Sequence, residues 1–255
     1  MTRRLVLAAR VAAVVLLGGI VLASIAIPLW TTFEKRAGED ALRKLGASVG
    51  EAKSGGLLVD LPTQISDDTL TKEGPHLEGL NIVHLNLPHS KLTSLEPLKG
   101  LTNLSSLDLS DAFGITSLEP LKGLTNLSWL DLSYATGITS LEPLSGLTNL
   151  RSLYLDNATG ITSLEPLKGL TELSSLDLRD TIGITSLEPL KGLTNLSWLN
   201  LNNATGITSL EPLKGLTSLR SLYLDDAAGI TSLEALKGLR VRIYGASDEL
   251  LATMN

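Results

Sequence analysis

Aromatic and acidic side chains that suit the binding of a ligand occur at repeating positions in this chain. Trp129 and Tyr154 are matched by Trp198 and Tyr223, each 69 residues further on. Tryptophan and tyrosine on a solvent-facing surface often dominate the binding energy of interfaces. Their neighbours are mostly carboxylates, which suit a partner with a basic or polar surface. The positions predicted to contact a partner are Trp129, Asp131, Tyr134, Tyr154, Asp156, Asp177, Arg179, Trp198, Asn200, Tyr223 and Asp225.

Catalysis and metal binding are not indicated by the other residue types. The chain has no cysteine, which excludes a cysteine nucleophile, thiolate metal ligands and disulfides. The spacing of its three histidines, His76, His84 and His89, does not direct two imidazoles at one ion, so we interpret them as surface residues. The aspartates are expected at one per strand, and they do not gather the roughly six to eight oxygens that calcium requires. We therefore predict no enzyme, no cofactor and no metal site.

A repeat of 23 residues fixes the spacing of these positions. The block S-L-E-x-L-x-G-L recurs at Ser94, Ser117, Ser140, Ser163, Ser186, Ser209 and Ser232. Alternating leucines, as in residues 104–109, predict a short strand with its polar residues facing outward. Gly114 then permits a tight turn, and leucines at every third position predict a 3₁₀ or short helical return segment. A constant period of this size predicts a solenoid.

The repeat resembles that of a known family. Residues 127–132 have the pattern L-x-x-L-x-L, and residues 143–150 read P-L-x-G-L-T-N-L. With these motifs, residues 80–245 resemble the bacterial leucine-rich repeat proteins of the internalin type. The resemblance implies an α/β fold: a right-handed solenoid whose concave parallel β-sheet is the usual protein-binding face, with short 3₁₀ or helical return segments.

The chain departs from that family pattern inside the turn. Where the family usually has Asn or Cys, this chain has Ala112, Ala135, Ala158, Thr181, Ala204 and Ala227. An alanine cannot form the family's asparagine ladder, so we expect packing and the turn's own amides to hold the turn.

The array of repeats is itself duplicated. Residues 104–172 and 173–241 align without a gap and match at 56 of 69 positions. The second aromatic pair can therefore be inherited and not separately selected. In the middle repeat Asp131, Ser133 and Tyr134 correspond to Asn200, Asn202 and Asn203, while the leucines stay fixed.

The N-terminal segment is predicted to cross a membrane. Residues 11–30 carry no charge and follow Arg3, Arg4 and Arg10. As a helix this segment spans about 30 Å, the thickness of the hydrocarbon core of a bilayer. The arginines place the N-terminus in the cytoplasm and the repeats outside it. A signal peptide cleaved near Ile27 is the alternative, and it would give a secreted protein.

Caps are expected at both ends of the array, because the apolar ends of a solenoid must be covered. Residues 39–45 predict a helix ended by Gly46, residues 57–61 predict a hairpin or a lone strand, and Ser247 starts a closing helix. The predicted segments are a signal anchor at 1–30, a juxtamembrane helix and N-terminal cap at 31–79, repeats at 80–245, and a C-terminal cap at 246–255.

Net charge and surface pattern together predict a binding function. The net charge of −6 argues against a nucleic-acid partner, because phosphate contacts need clustered lysine and arginine. We predict a non-enzymatic recognition or adhesion module outside the cytoplasm, which binds protein through the acidic, aromatic-bearing concave sheet. Carbohydrate or cell-wall binding through the same face is the alternative, since aromatic rings flanked by Asp and Asn also suit sugars.

Overall fold

A single sheet runs through the molecule. The structure, a computed structural model, describes residues 33–53, 55–63 and 65–254. Within these residues ten strands pair in sequence order, the first pair antiparallel and the others parallel. The strands are β1 (Ser48–Glu51), β2 (Leu57–Asp60), β3 (Ile82–Asn86), β4 (Ser106–Asp108), β5 (Trp129–Asp131), β6 (Ser152–Tyr154), β7 (Ser175–Asp177), β8 (Trp198–Asn200), β9 (Ser221–Tyr223) and β10 (Arg242–Tyr244).

Each return segment contains one 3₁₀ turn, as the spacing of the leucines predicts. These turns are Glu96–Leu98, Glu119–Leu121, Glu142–Leu144, Glu165–Leu167, Glu188–Leu190, Glu211–Leu213 and Glu234–Leu236. The S-L-E motif starts them: in every repeat the serine Oγ accepts the glutamate N–H at 3.2–3.3 Å, as in Ser140 and Glu142. Proline suits the following position because the first turn leaves that N–H without an intrahelical acceptor.

The leucines form one continuous core, and the predicted solenoid is confirmed. Leu107 and Leu109 are fully buried, as are Leu130 and Leu132 one coil later. The buried apolar residues from Ala41 to Leu236 belong to a single cluster. Burial of one leucine side chain contributes about 1.5–3 kcal/mol, so stability is distributed over the stacked coils.

The turn after each strand is built differently from the sequence prediction. The left-handed residue is not Gly114 but Asp111, with φ 58°. Gly114 is needed because a Cβ there would lie 2.6 Å from the backbone oxygen of Leu92 in the preceding coil. The glycine therefore permits close stacking of coils. The equivalent left-handed residues are Tyr134, Asn157, Asp180, Asn203 and Asp226.

The buried turn position has no side-chain ladder in most coils, as expected from its alanines. Ala112 is buried, and its own N–H donates to the Leu109 oxygen at 3.2 Å. An asparagine ladder exists elsewhere, in the T-N-L motif. Each Nδ2 donates to a threonine oxygen of the preceding coil at 2.8–2.9 Å, and the donors are Asn126, Asn149 and Asn195.

The N-terminal end of the array is covered by helices and a hairpin. Residues 33–44 are helical (α1), Gly46 follows with φ 70°, and β1 and β2 form an antiparallel hairpin. Helix α2 (Asp67–Glu73) and a 3₁₀ segment (Gly74–Gly79) complete the cover. Ala41, Leu42 and Leu45 are buried against the core.

At the other end, helix α3 (Asp248–Ala252) has Ser247 as its N-cap, as predicted, and Ser247 Oγ accepts the Leu250 N–H at 3.2 Å. None of the helices in the described part of the chain is long and apolar enough to cross a membrane. The predicted span at residues 11–30 lies outside the described residues.

Candidate functional site

The candidate site is the outer face of the sheet, which we define as the first and third side chains of strands β4 to β10. The middle residue of each strand β4 to β9 is a buried leucine, so the two flanking side chains point away from the core. The first row is Ser106, Trp129, Ser152, Ser175, Trp198, Ser221 and Arg242. The third row is Asp108, Asp131, Tyr154, Asp177, Asn200, Tyr223 and Tyr244.

Tryptophan and tyrosine meet on this face in two places. The ring centroids of Trp129 and Tyr154 are 5.6 Å apart with planes inclined at 50°. Those of Trp198 and Tyr223 are 5.5 Å apart at 52°. These distances and angles are typical of favourable tilted aromatic pairs. All four rings are partly exposed.

A third ring, which the sequence analysis missed, extends the second pair. Tyr244 stacks on Tyr223 with centroids 4.5 Å apart and planes inclined at 13°. The last coil is two residues shorter than the others: Gly238 precedes Tyr244 by six residues, while Gly169 precedes Asp177 by eight. Tyr244 therefore enters the third row where a fixed 23-residue period would not place it.

The acidic residues of the third row have a structural role. The Oδ1 atom of Asp131 accepts the backbone N–H of Ser133 at 2.8 Å. Asp108, Asp177 and Asn200 accept the equivalent N–H, two residues further on, at 2.9–3.0 Å. Short side chains of this type commonly cap a turn in this way. These side chains thus stabilise the turns that follow the strands, whether or not a partner binds.

Arg179 covers part of the acidic surface. One guanidinium nitrogen lies 2.9 Å from Asp156 Oδ2 and 3.9 Å from Asp177 Oδ2. Both aspartates are only 5% exposed, so they are less open to solvent than an outward strand position suggests. Tyr134 lies beside them, 40% exposed, and its backbone N–H donates to the Asp156 carbonyl at 2.7 Å.

The carboxylates near Arg179 are incompletely neutralised. Burial raises the pKa of Asp156 above its ordinary value, and the charge of Arg179 opposes this effect without cancelling it. Burial likewise raises the pKa of Asp177, again opposed by Arg179. For Asp131, burial raises the pKa, the hydrogen bonds from Ser133 oppose this effect, and the charges of Asp108 and Asp156 add to it. Each shift means that the environment disfavours the charged carboxylate.

The predicted residues, together with Tyr244, fall into two groups that we name by their order in the chain. The first cluster is Trp129, Asp131, Tyr154, Asp156, Asp177 and Arg179, with Tyr134 at its edge. The second cluster is Trp198, Asn200, Tyr223, Tyr244 and Asp225. Three strand spacings separate equivalent rings, which corresponds to about 14 Å.

The histidines lie away from both clusters. His76 and His84 are exposed. His89 lies in the turn after β3, and its Nδ1 is 3.0 Å from Oδ2 of Asp111 in the turn after β4. Over the ranges that the structure describes, no three His, Cys, Asp or Glu residues are grouped so that they could hold a metal ion.

Comparisons with known proteins agree with this architecture. The family described as Leucine Rich repeats (2 copies) matches residues 73–123 and 125–169. The crystal structure of internalin C2 from Listeria monocytogenes is 30% identical, with 72% of this chain and 80% of that chain covered and a TM-score of 0.59.

The leucine-rich repeat domain of the type III effector XopL is similar in fold. It is 22% identical, with 78% of this chain and 68% of that chain covered and a TM-score of 0.55. A search of curated proteins finds no match.

Proposed function

We propose that this chain, which belongs to the bacterial internalin-like leucine-rich repeat proteins, binds another protein through the outer face of its sheet. Leucine-rich repeat proteins of this kind are non-enzymatic protein-interaction modules. The observation that carries the proposal is the pair of partly exposed Trp–Tyr contacts on a face that is otherwise polar.

The fold does not need these rings. In the first row, the positions equivalent to Trp129 and Trp198 are serine in four other coils, and the backbone register is the same. A large aromatic side chain at a solvent-facing position that serine also fills is typical of an interface anchor. Asp131 and Asp156 beside the first pair favour a partner with a basic or polar surface.

Display outside the cytoplasm is the second part of the proposal. It rests on residues 11–30, an uncharged segment long enough to span a bilayer and preceded by three arginines. N-terminal sequencing of the mature protein distinguishes the anchored form from the secreted one. A mature N-terminus near Ile27 would contradict the anchor and favour secretion.

Site-specific photo-crosslinking tests binding at the outer face. The chain contains no cysteine, so a single introduced cysteine can carry a benzophenone label. S152C places the label between the two clusters' tryptophans on the first row, and S145C places a matched label on an exposed return segment. The labelled full chain is illuminated with the proteins of its surroundings, and adducts are identified by mass spectrometry.

We expect a protein adduct from S152C that is absent from S145C and is lost when W129A and W198A are added. The double variant should keep the fold, because serine is accepted at the same row in other coils. Equal adducts from the two labels, or adducts unaffected by W129A and W198A, would contradict the proposal.

Glycan binding is a second candidate, favoured by one observation. Tyr223 and Tyr244 form a nearly flat stack on the outer face, which suits the apolar face of a sugar ring. Cell-wall pull-down of the full chain tests this candidate, with Y244A as the variant. Wall binding that Y244A abolishes would support the glycan, and wall binding unaffected by Y244A would contradict it.

A further inference from the structure

We infer that the first cluster accepts a lysine or arginine side chain of the protein partner, whereas the second cluster does not select for positive charge. The inference rests on the proposed function, since it names the chemistry of the partner at one part of the same face. It is carried by the arrangement of carboxylates around two aromatic pairs of the same geometry.

The first cluster places carboxylates on both sides of an aromatic pair. Asp131 and Asp177 lie in register with Tyr154 on the two neighbouring strands. Trp129 begins the strand that Asp131 ends, so both side chains belong to the outer face. A cation within about 6 Å of a Trp or Tyr ring centroid is attracted by the ring face. Asp177 is almost fully buried, whereas Asp131 is partly exposed. The inclined rings and the Asp131 carboxylate therefore offer two kinds of contact to the same cation.

The charge of the first cluster is not balanced internally. The cluster contains three carboxylates, those of Asp131, Asp156 and Asp177, and one guanidinium, that of Arg179, which gives a formal charge of −2. Arg179 approaches Asp156 and Asp177. Among the described residues no basic side chain lies within 4.0 Å of the Asp131 carboxylate. Asp131 uses Oδ1 for its turn cap, so a partner's cation would complete its charge pairing.

The second cluster has the same rings and a different charge. Asn200 stands where the first cluster has Asp131. Because the last coil is shorter, Tyr244 stands where the first cluster has Asp177. Arg242 joins the first row, and together with Asp225 it gives a formal charge of zero. The ring distances of the two Trp–Tyr pairs differ by only 0.1 Å, so the clusters differ in the charge of the flanking residues and in the Tyr244 ring stacked on Tyr223.

Nuclear magnetic resonance of the full chain in detergent tests this difference. The indole N–H signals of Trp129 and Trp198 are assigned with W129F and W198F. The probe is a tetra-arginine peptide, and a tetra-citrulline peptide of the same length is the neutral control. Ionic strength is held constant, because salt screens exposed charges. We expect tetra-arginine to shift the Trp129 signal in a saturable way and leave Trp198 unchanged, and tetra-citrulline to shift neither.

Two reciprocal variants assign the effect to one carboxylate. Asn200 makes the same turn cap as Asp131, so D131N and N200D both keep that hydrogen bond. D131N should weaken tetra-arginine binding at Trp129 by about two- to fivefold, the upper part of the range for loss of one partly exposed ion pair. N200D should make the Trp198 signal respond. Unchanged backbone spectra away from the clusters show that each variant is folded.

Three results would overturn the inference: equal responses of the two indoles, equal responses to arginine and citrulline, or unchanged binding in D131N. The crosslinking experiment separates these failures from failure of the proposed function. Retained S152C adducts without charge selectivity would overturn this inference alone. Charge selectivity at Trp129 without any protein adduct would support a cation-binding first cluster and overturn the proposed protein partner.

Discussion

Two glycines of neighbouring coils test how closely the backbones are stacked. At Gly160 an added Cβ would overlap the Ile138 backbone oxygen and lie 2.9 Å from the Thr136 backbone oxygen. At Gly146 no heavy atom lies within 4 Å of an added Cβ, and the backbone is not left-handed. G160A and G146A are therefore the same chemical change in opposite environments.

The magnitudes follow from these contacts. Real Cβ atoms essentially never approach another atom closer than 3.0 Å, and the obstructing atoms at Gly160 are backbone atoms that cannot rotate away. The coils must separate, which costs about 1–3 kcal/mol, as for other overpacked sites. Alanine at Gly146 should stabilise by about 0.4–1 kcal/mol, because it restricts the unfolded chain. We expect the two variants to differ by about 1.4–4 kcal/mol, or roughly 3–16 °C in Tm.

Thermal and urea unfolding followed by circular dichroism measure this difference. Hydrogen exchange should locate it, with faster exchange in G160A confined to the coils next to Gly160. G137A and G123A repeat the comparison one coil earlier: the Ile115 oxygen lies 2.7 Å from a Cβ at Gly137, and Gly123 is open. If G160A were as stable as G146A, the close approach of the coils described above would be wrong.

Three further predictions concern single side chains. Burial raises the pKa of Asp131, so the folded state binds the Asp131 proton more tightly than the unfolded state and loses stability as pH rises above the ordinary value of 3.8. In urea unfolding, D131N should be more stable than the parent at pH 7 and should lose that advantage near pH 3. N149A removes a 2.8 Å hydrogen bond to the preceding coil and should lower the free energy of unfolding by about 0.5–1.5 kcal/mol in chemical denaturation. S218N adds an asparagine at the equivalent position, which has serine, and should raise the free energy of unfolding by up to about 1 kcal/mol. L132D buries a carboxylate at a 1% exposed position, so it should lower the free energy of unfolding by more than about 3 kcal/mol and reduce hydrogen-exchange protection locally. An unchanged melting profile would contradict the inward position of Leu132.

The sequence predicts what lies within a coil better than what lies between coils. The inward leucines and the 3₁₀ turns follow from a period of two and a period of three, which belong to single segments. The function of Gly114 depends on the distance to the preceding coil, and no spacing along the chain reveals that distance. The same is true of the ladder from Asn149 to the Thr125 carbonyl, because the motif T-N-L does not show where Nδ2 points.

The sequence predicted where the candidate site residues lie on the sheet, but not which side chains surround them. Trp129 and Tyr154 are neighbours because strands of a constant period pair in register. The covering of Asp156 by Arg179 depends on a side-chain conformation. Tyr244 was missed because two residues are lacking in the last coil, and the register of a final strand is set by pairing with the strand before it.

In the third row of the outer face, the hydrogen bond that the fold uses does not determine the charge of the side chain. An Asp or Asn in this row accepts the N–H two residues on, and the bond is nearly the same length in Asp131 and Asn200. The charge of the row can therefore change without loss of the cap. Tyr154 and Tyr223 lie in the same row, and a tyrosine ring cannot form this short-range bond. Positions where a side chain breaks the local structural rule are the places to look for function, which makes the two tyrosines stronger candidates for partner contact than the aspartates around them.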